Sequence, residues 1–244
     1  MTTRTLTDGH GHSTPAARGR ARPCAPAAPG FRAAMFDLDG TLLDTLDDLA
    51  DSMNAVLERR GWPAHPRDAY RFFVGEGARL LVTRALPAER RGDAEVDAAF
   101  DEYRAEYGRR WNARSRPYDG IAEMLGALSV RGLRLAVLSN KPHAFTRKCV
   151  EHFFPGVRFD AVHGHRESTP PKPDPAAALA IARDLGVPPA AWLYLGDSGV
   201  DMETANRAGM FAAGVLWGFR PREELERHGA RALCARPADA LALL

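Results

Sequence analysis

The sequence predicts an α/β protein, a doubly wound parallel sheet carrying an inserted α-helical cap, and three observations carry that reading. Short apolar runs alternate with helix-patterned stretches from residue 31 onwards, as strand–helix–strand crossovers in a parallel sheet require. Residues 45–116 break the alternation with helical spacing and no strand pattern, so a helical unit interrupts the sheet. Polar residues cluster just after the apolar runs, where ligands of open parallel sheets bind.

The 244 residues suffice for one such core and a modest insertion. Hydrophobic residues make up 45% and charged residues 26%, ordinary usage for a globular chain. No apolar run approaches the roughly 18 residues of a membrane span, so no membrane partner is expected. Net charge is +2, but residues 1–32 hold Arg4, Arg18, Arg20, Arg22 and Arg32 against Asp8, a share of +4 that leaves 2 − 4 = −2 elsewhere. A body of that charge gives no support for a nucleic-acid surface. Cys24, Cys149 and Cys234 have no metal-ligand spacing, and their odd number suits a reducing compartment, the cytoplasm.

In chain order, residues 1–30 are rich in Thr, Pro, Ala, Gly and Arg and are expected to be disordered for want of apolar bulk to bury. His10 and His12 lie there as solvated residues, and Met35 offers an alternative start. The core is expected over 31–44 and 117–244, with strands at Phe31–Phe36, Leu133–Leu138, Phe159–Val162, Trp192–Leu195 and Phe211–Leu216. Helices are expected at Pro142–Phe153, Pro175–Leu185 and Val200–Ala208, the second stopped by Gly186 and Pro188. The cap is expected over 45–116. There Leu46, Leu49, Met53, Val56 and Leu57 fall on one helix face, and a unit placed after the first strand would form a lid over the strand ends.

The first strand exits into Asp37-Leu38-Asp39-Gly40-Thr41. Two acids one residue apart can project to one side, where their repulsion calls for a proton or a cation between them. A hard divalent ion such as Mg²⁺ meets that need with oxygen ligands. A second strand exits into Gly196-Asp197-Ser198-Gly199-Val200-Asp201, adding two more acids. Lys172 sits in a proline-rich frame and is one of only three lysines, with Lys141 and Lys148, in a chain of 30 arginines. A compact ammonium where the chain otherwise uses guanidinium suggests a site needing a point charge. Ser139-Asn140-Lys141-Pro142 leads from a strand into a helix, a natural seat for phosphate.

These four segments, Asp37 to Thr41, Ser139, Lys172 and Gly196 to Asp201, resemble in order the four motifs of the haloacid dehalogenase superfamily of aspartate-nucleophile phosphatases. The resemblance spans residues 31–244 and implies its Rossmann-like core with the small helical cap, since only 32 residues separate Ser139 from Lys172. Phe72-Phe73-Val74-Gly75-Glu76-Gly77, Pro117-Tyr118-Asp119-Gly120 and Leu138-Ser139-Asn140-Lys141-Pro142 are further similar to phosphoglycolate phosphatases.

The resemblance implies that Asp37 is the nucleophile and becomes an aspartyl phosphate, with Asp39 as acid and base and Thr41 steadying Asp39. It implies Mg²⁺ on the Asp37 carboxylate, the Asp39 carbonyl and Asp197, with Asp201 orienting Lys172 or a metal water. Ser139, Asn140 and Lys172 would hold the phosphoryl group; Gly75, Glu76 and Gly77 would approach the substrate. Arg71 and Arg79 are candidates for a substrate carboxylate, and His163 and His165 for a place near the site. The partner implied is a small phosphorylated metabolite, phosphoglycolate foremost, with monomer or homodimer left open. Pyrophosphate, nucleoside monophosphates and sugar phosphates remain alternatives, as do a phosphosugar mutase and a non-catalytic phosphate-sensing or partner-binding protein.

Overall fold

The computed structural model describes residues 1–2 and 30–244. The expectations for the tail, with those for His10, His12 and Cys24, lie outside the described residues. Among the described residues, no helix is long and apolar enough to cross a membrane.

Strand β1 (Ala33–Phe36) leads to a short β2 (Leu43–Asp44) and four helices, α1 (Leu46–Arg59), α2 (Tyr70–Phe73), α3 (Ala78–Ala85) and α4 (Asp93–Arg110). The chain then returns through β3 (Arg116–Pro117) and α5 (Ile121–Val130) to β4 (Arg134–Pro142), α6 (His143–Phe153) and β5 (Ala161–His165). It closes with α7 (Ala176–Asp184), β6 (Trp192–Gly196), α8 (Gly199–Arg207), β7 (Phe211–Val215), α9 (Arg222–Arg227) and β8 (Ala232–Cys234).

Six strands form one sheet in the order β5-β4-β1-β6-β7-β8, and every pairing in it is parallel. Strand β1 is central and fully buried, and its alternating side chains split between two cores. Ala34 and Phe36 join Leu125, Leu128, Cys149 and Val150 on one face. Ala33 and Met35 join Ile181, Ala182, Met202 and Ala205 on the other. Helices covering both faces define the doubly wound arrangement. The chain passes from β1 to β4 on one side and later to β6 on the other, so the crevice at the end of β1 is the topological switch point.

Several elements differ from expectation, β1 beginning at Ala33 and not Phe31 among them. The fifth strand begins at Ala161, not Phe159, and includes His163 and His165; it lies at the sheet edge, where one neighbour is missing and an apolar run is not required. Strand β4 continues past Leu138 through Ser139 to Pro142, with a register irregularity between those two residues. The three-residue β8 and helices α5 and α9 add to the expected elements.

Helices α1 to α4 pack on one side of the core, and Leu49, Met53, Val56, Leu81 and Tyr103 share a continuous apolar cluster with Phe36 and Leu38. The two crossings between this helical layer and the sheet pair as an antiparallel ribbon, Leu43 against Pro117 and Asp44 against Arg116. Buried Asp48 ties the return crossing to α1, accepting hydrogen bonds from the Ser115 amide at 2.8 Å and its hydroxyl at 2.7 Å.

Within the helical layer, buried Glu106 receives Arg59 at 3.0 Å, Arg110 at 2.6 Å and Arg109. The Arg110 and Arg109 hydrogen bonds, with that of Arg59, hold its carboxyl down at about 2. A depressed carboxyl contributes stability above its unfolded value and loses it as pH falls towards the folded one. The arginines are about half exposed, so solvent screening reduces the gain to about 1 kcal/mol or less. Glu106→Gln should therefore lower unfolding free energy by that amount at pH 7, and urea titrations should find the difference gone by about pH 2.

Candidate active site at the strand ends

The carboxyl ends of β1, β4 and β6 bring together the residues that carry chemistry. Leaving β1, the chain turns at Gly40, whose φ of +89° is a left-handed conformation that favours glycine. A side chain on Gly40 would also collide with the Asp197 carboxylate, so the turn lets the exits of β1 and β6 approach closely. Asp37, Asp197 and Asp201 offer carboxylate oxygens all within 4.8 Å of one another, and all three are buried.

Lys172 lies against this trio. Its Nζ is 2.6 Å from Asp201 Oδ1 and 3.0 Å from Asp37 Oδ1, with its side chain 2% exposed. Burial alone would push the ammonium's pKa down, but Asp201 and Asp37 overcome that and hold it well above the ordinary lysine value. Asp201 is fixed from behind. Its Oδ2 accepts from the Ser198 amide at 3.1 Å and hydroxyl at 2.7 Å, closing a capping box at the start of α8.

Burial pushes the Asp37 carboxyl up, with Asp201 and Asp39 adding repulsion that Lys172 offsets only in part. Burial likewise pushes Asp197 up, reinforced by Asp201 and Asp37. Such a cluster favours a positive charge among its oxygens. Asp37 Oδ1 is buried without a well-directed hydrogen bond, and Lys172 approaches it only as an ion-pair partner. An all-oxygen set with a spare buried lone pair fits a hard divalent cation.

Asp197 is held by the Thr41 hydroxyl at 3.1 Å and the Phe219 amide at 2.8 Å. This corrects the expectation that Thr41 steadies Asp39. Thr45 does so, donating to Asp39 Oδ1 at 2.9 Å, because α1 begins just after it and brings its hydroxyl back towards the first motif. The principal omission from the expected set is Lys141, whose Nζ reaches Asp39 Oδ1 and Oδ2 at 3.0 and 2.9 Å. Its rarity as one of three lysines was the available signal.

Ser139 and Asn140 are buried beside the carboxylates. The Asn140 side chain donates to the Lys172 carbonyl and the Gly75 carbonyl at 3.1 Å each, and its Oδ1 accepts from the Lys172 amide at 2.8 Å. One amide thus ties the end of β4 to the lysine loop and to the helical layer. A cavity of about 50 Å³ runs from Asp37, Asp39 and Ser139 under Gly75, Gly77, Tyr103 and Tyr107.

Gly75 and Gly77 border this cavity, whereas Glu76 turns to Arg84. Arg71 donates to the Gly218 carbonyl at 3.1 Å and pairs with Asp68 at 3.3 Å; Arg79 pairs with Asp97 at 2.7 Å. Neither borders the cavity. His163 and His165 line a separate cleft beyond Ser139 and Asn140. Arg220, absent from the expected set, donates to the Val74 carbonyl at 2.9 Å and lies over the Phe72 ring at 5.3 Å, fastening the glycine loop to the sheet.

Clustered carboxylates and a buried lysine at the switch point of a doubly wound sheet define a hydrolase-type site. Residues 34–215 match the family model of haloacid dehalogenase-like hydrolases, and the chain belongs to that family. It is 34% identical over 226 residues to a phosphoglycolate phosphatase of Pseudomonas putida, covering 87% of this chain and 83% of that one. It is 32% identical over 215 residues to an N-acetylmuramic acid 6-phosphate phosphatase of Pseudomonas aeruginosa, covering 88% and 95%. The crystal structure of a predicted phosphoglycolate phosphatase from Haemophilus somnus superposes with a TM-score of 0.81 at 28% identity, covering 88% and 98%.

Proposed function

We propose that this protein is a phosphatase that hydrolyses a small phosphomonoester, 2-phosphoglycolate foremost, to the alcohol and inorganic phosphate. Asp37 attacks phosphorus, its oxygen forming the new P–O bond as the bond to the leaving oxygen breaks. Asp39 gives the leaving oxygen its proton. Water then attacks the aspartyl phosphate, Asp39 takes a proton from it, and phosphate and the free carboxylate are released. Splitting one displacement into two lets a single site serve both halves.

Lys172, held by Asp201, offsets charge on the nucleophile and the transferring group, and Ser139 with the Asn140 amide seats the phosphoryl oxygens. Asp37 and Asp197, with the Asp39 carbonyl implied by the family pattern, would hold Mg²⁺. When bound, the ion neutralises charge on the carboxylates and the phosphoryl oxygens.

The observation that carries this reading is the meeting of Asp37, Asp197 and Asp201 with Lys172, contributed by three separate segments at the switch point. The relatives named above support a phosphomonoester.

A panel of phosphate esters assayed with Mg²⁺ and with EDTA tests the proposal. Phosphoglycolate should rank first by kcat/KM, and EDTA should abolish turnover. First rank for N-acetylmuramic acid 6-phosphate would overturn the substrate choice. No phosphate release from any ester, p-nitrophenyl phosphate included, would overturn the enzymatic reading.

A further inference from the structure

Two buried ammonium groups flank the proposed reaction centre, and the mechanism above uses one. The other, Lys141, has a side chain only 4% exposed and borders the cavity with Leu49, Val74, Leu81 and Phe145. Its Nζ stands 4.7 Å from the centroid of the Tyr107 ring, on the helical layer, and within 3.0 Å of both Asp39 oxygens. A charge in so apolar a wall is costly unless a counter-charge meets it.

The position of Lys141 follows the leaving group. If Asp39 protonates the leaving oxygen, that oxygen lies one hydrogen bond from Asp39. Lys141 lies one hydrogen bond from Asp39 on the cavity wall. A substituent on the carbon next to the leaving oxygen is therefore within reach of Nζ. Arg104 also borders the cavity, but its side chain is 60% exposed, so water screens it and the buried ammonium discriminates more strongly.

We infer that Lys141 is the specificity-determining residue of this site, an ammonium that binds a carboxylate on the carbon adjacent to the leaving oxygen. This rests on the phosphatase reading and deepens it: the enzyme selects 2-phosphorylated hydroxyacids over alkyl phosphates of the same length. The aryl face of Tyr107 holds the ammonium in place while the carboxylate shares it with Asp39.

Phosphoglycolate and ethyl phosphate differ chiefly in that carboxylate, so their kcat/KM ratio measures it. The wild type should favour phosphoglycolate by about 10- to 100-fold, the range of one charge-assisted hydrogen bond, with most of the difference in KM. In Lys141→Met the ratio should collapse to within about 3-fold of unity, and Lys141→Arg should restore part of it, since a cation remains.

A wild-type ratio near unity overturns the inference without recourse to any variant. So does a Lys141→Met enzyme in which both esters fall together and the ratio survives, which is the result of a merely structural role. Failure of the wild type to hydrolyse either ester overturns the phosphatase reading itself, and is thereby told apart from failure of this inference.

Discussion

Asp37→Asn should lose phosphatase turnover by on the order of 10⁴-fold or more, the scale seen when a nucleophile is removed from a site that acts as a unit. The amide keeps the shape of the carboxylate but cannot form the acyl phosphate. Its effect on stability should be small, because the substitution removes a buried charge that burial and the neighbouring Asp201 and Asp39 already disfavour, while Lys172 retains Asp201 at 2.6 Å. Single-turnover assays with p-nitrophenyl phosphate, run beside thermal melts, separate the two properties. Turnover within 10-fold of wild type in a folded variant would remove Asp37 as nucleophile.

Lys172→Met should be costly to both folding and rate. It strips the buried counter-charge from Asp201 and Asp37, and breaking one partner out of a buried ionic set costs about 3–5 kcal/mol. Against total stabilities of about 5–15 kcal/mol, a large drop in melting temperature follows. If the folded carboxylates hold Mg²⁺ as proposed, the ion should recover part of the loss by mass action, because the unfolded chain offers no such site. Turnover should fall by about 10²- to 10³-fold as stabilisation of the transferring phosphoryl group is lost. Melts with and without Mg²⁺ provide the check, and a melting temperature within 2 °C of wild type would contradict the role given to Lys172.

Much of this site was legible because the chemistry stands next to strand exits. Asp37, Ser139 and Asp197 each follow an apolar run, and in a parallel sheet such exits share one edge. Asp201 was read as a further acid of the same strand exit as Asp197; the structure adds that it closes a capping box with Ser198. The helical insertion was legible from the spacing of Leu46, Leu49, Met53 and Val56, all buried.

What escaped depends on contacts between distant segments. Thr41 meets Asp197 across 156 positions, and Lys141 meets Asp39 across 102; local pattern cannot assign such partners. Arg71 and Arg79 were plausible carboxylate ligands by proximity to the glycine loop, yet Asp68 and Asp97 lie nearer to them in the fold. Arg220 looked like any other arginine in an arginine-rich chain, and only its bond to the Val74 carbonyl sets it apart. The edge position of β5 hid its end, because His163 and His165 carry no apolar signal.

Covalent phosphate on Asp37 is the centre of the account, and chemical quench tests it directly. Wild-type enzyme mixed with substrate and Mg²⁺ would be stopped in acid within one turnover, reduced with borohydride and mapped by peptide mass. An acyl phosphate is reduced to an alcohol, so the account predicts homoserine at position 37 and at no other aspartate. Phosphate release at the normal rate with Asp37 unmodified at every quench time, or homoserine at Asp39, Asp197 or Asp201 instead, would contradict it.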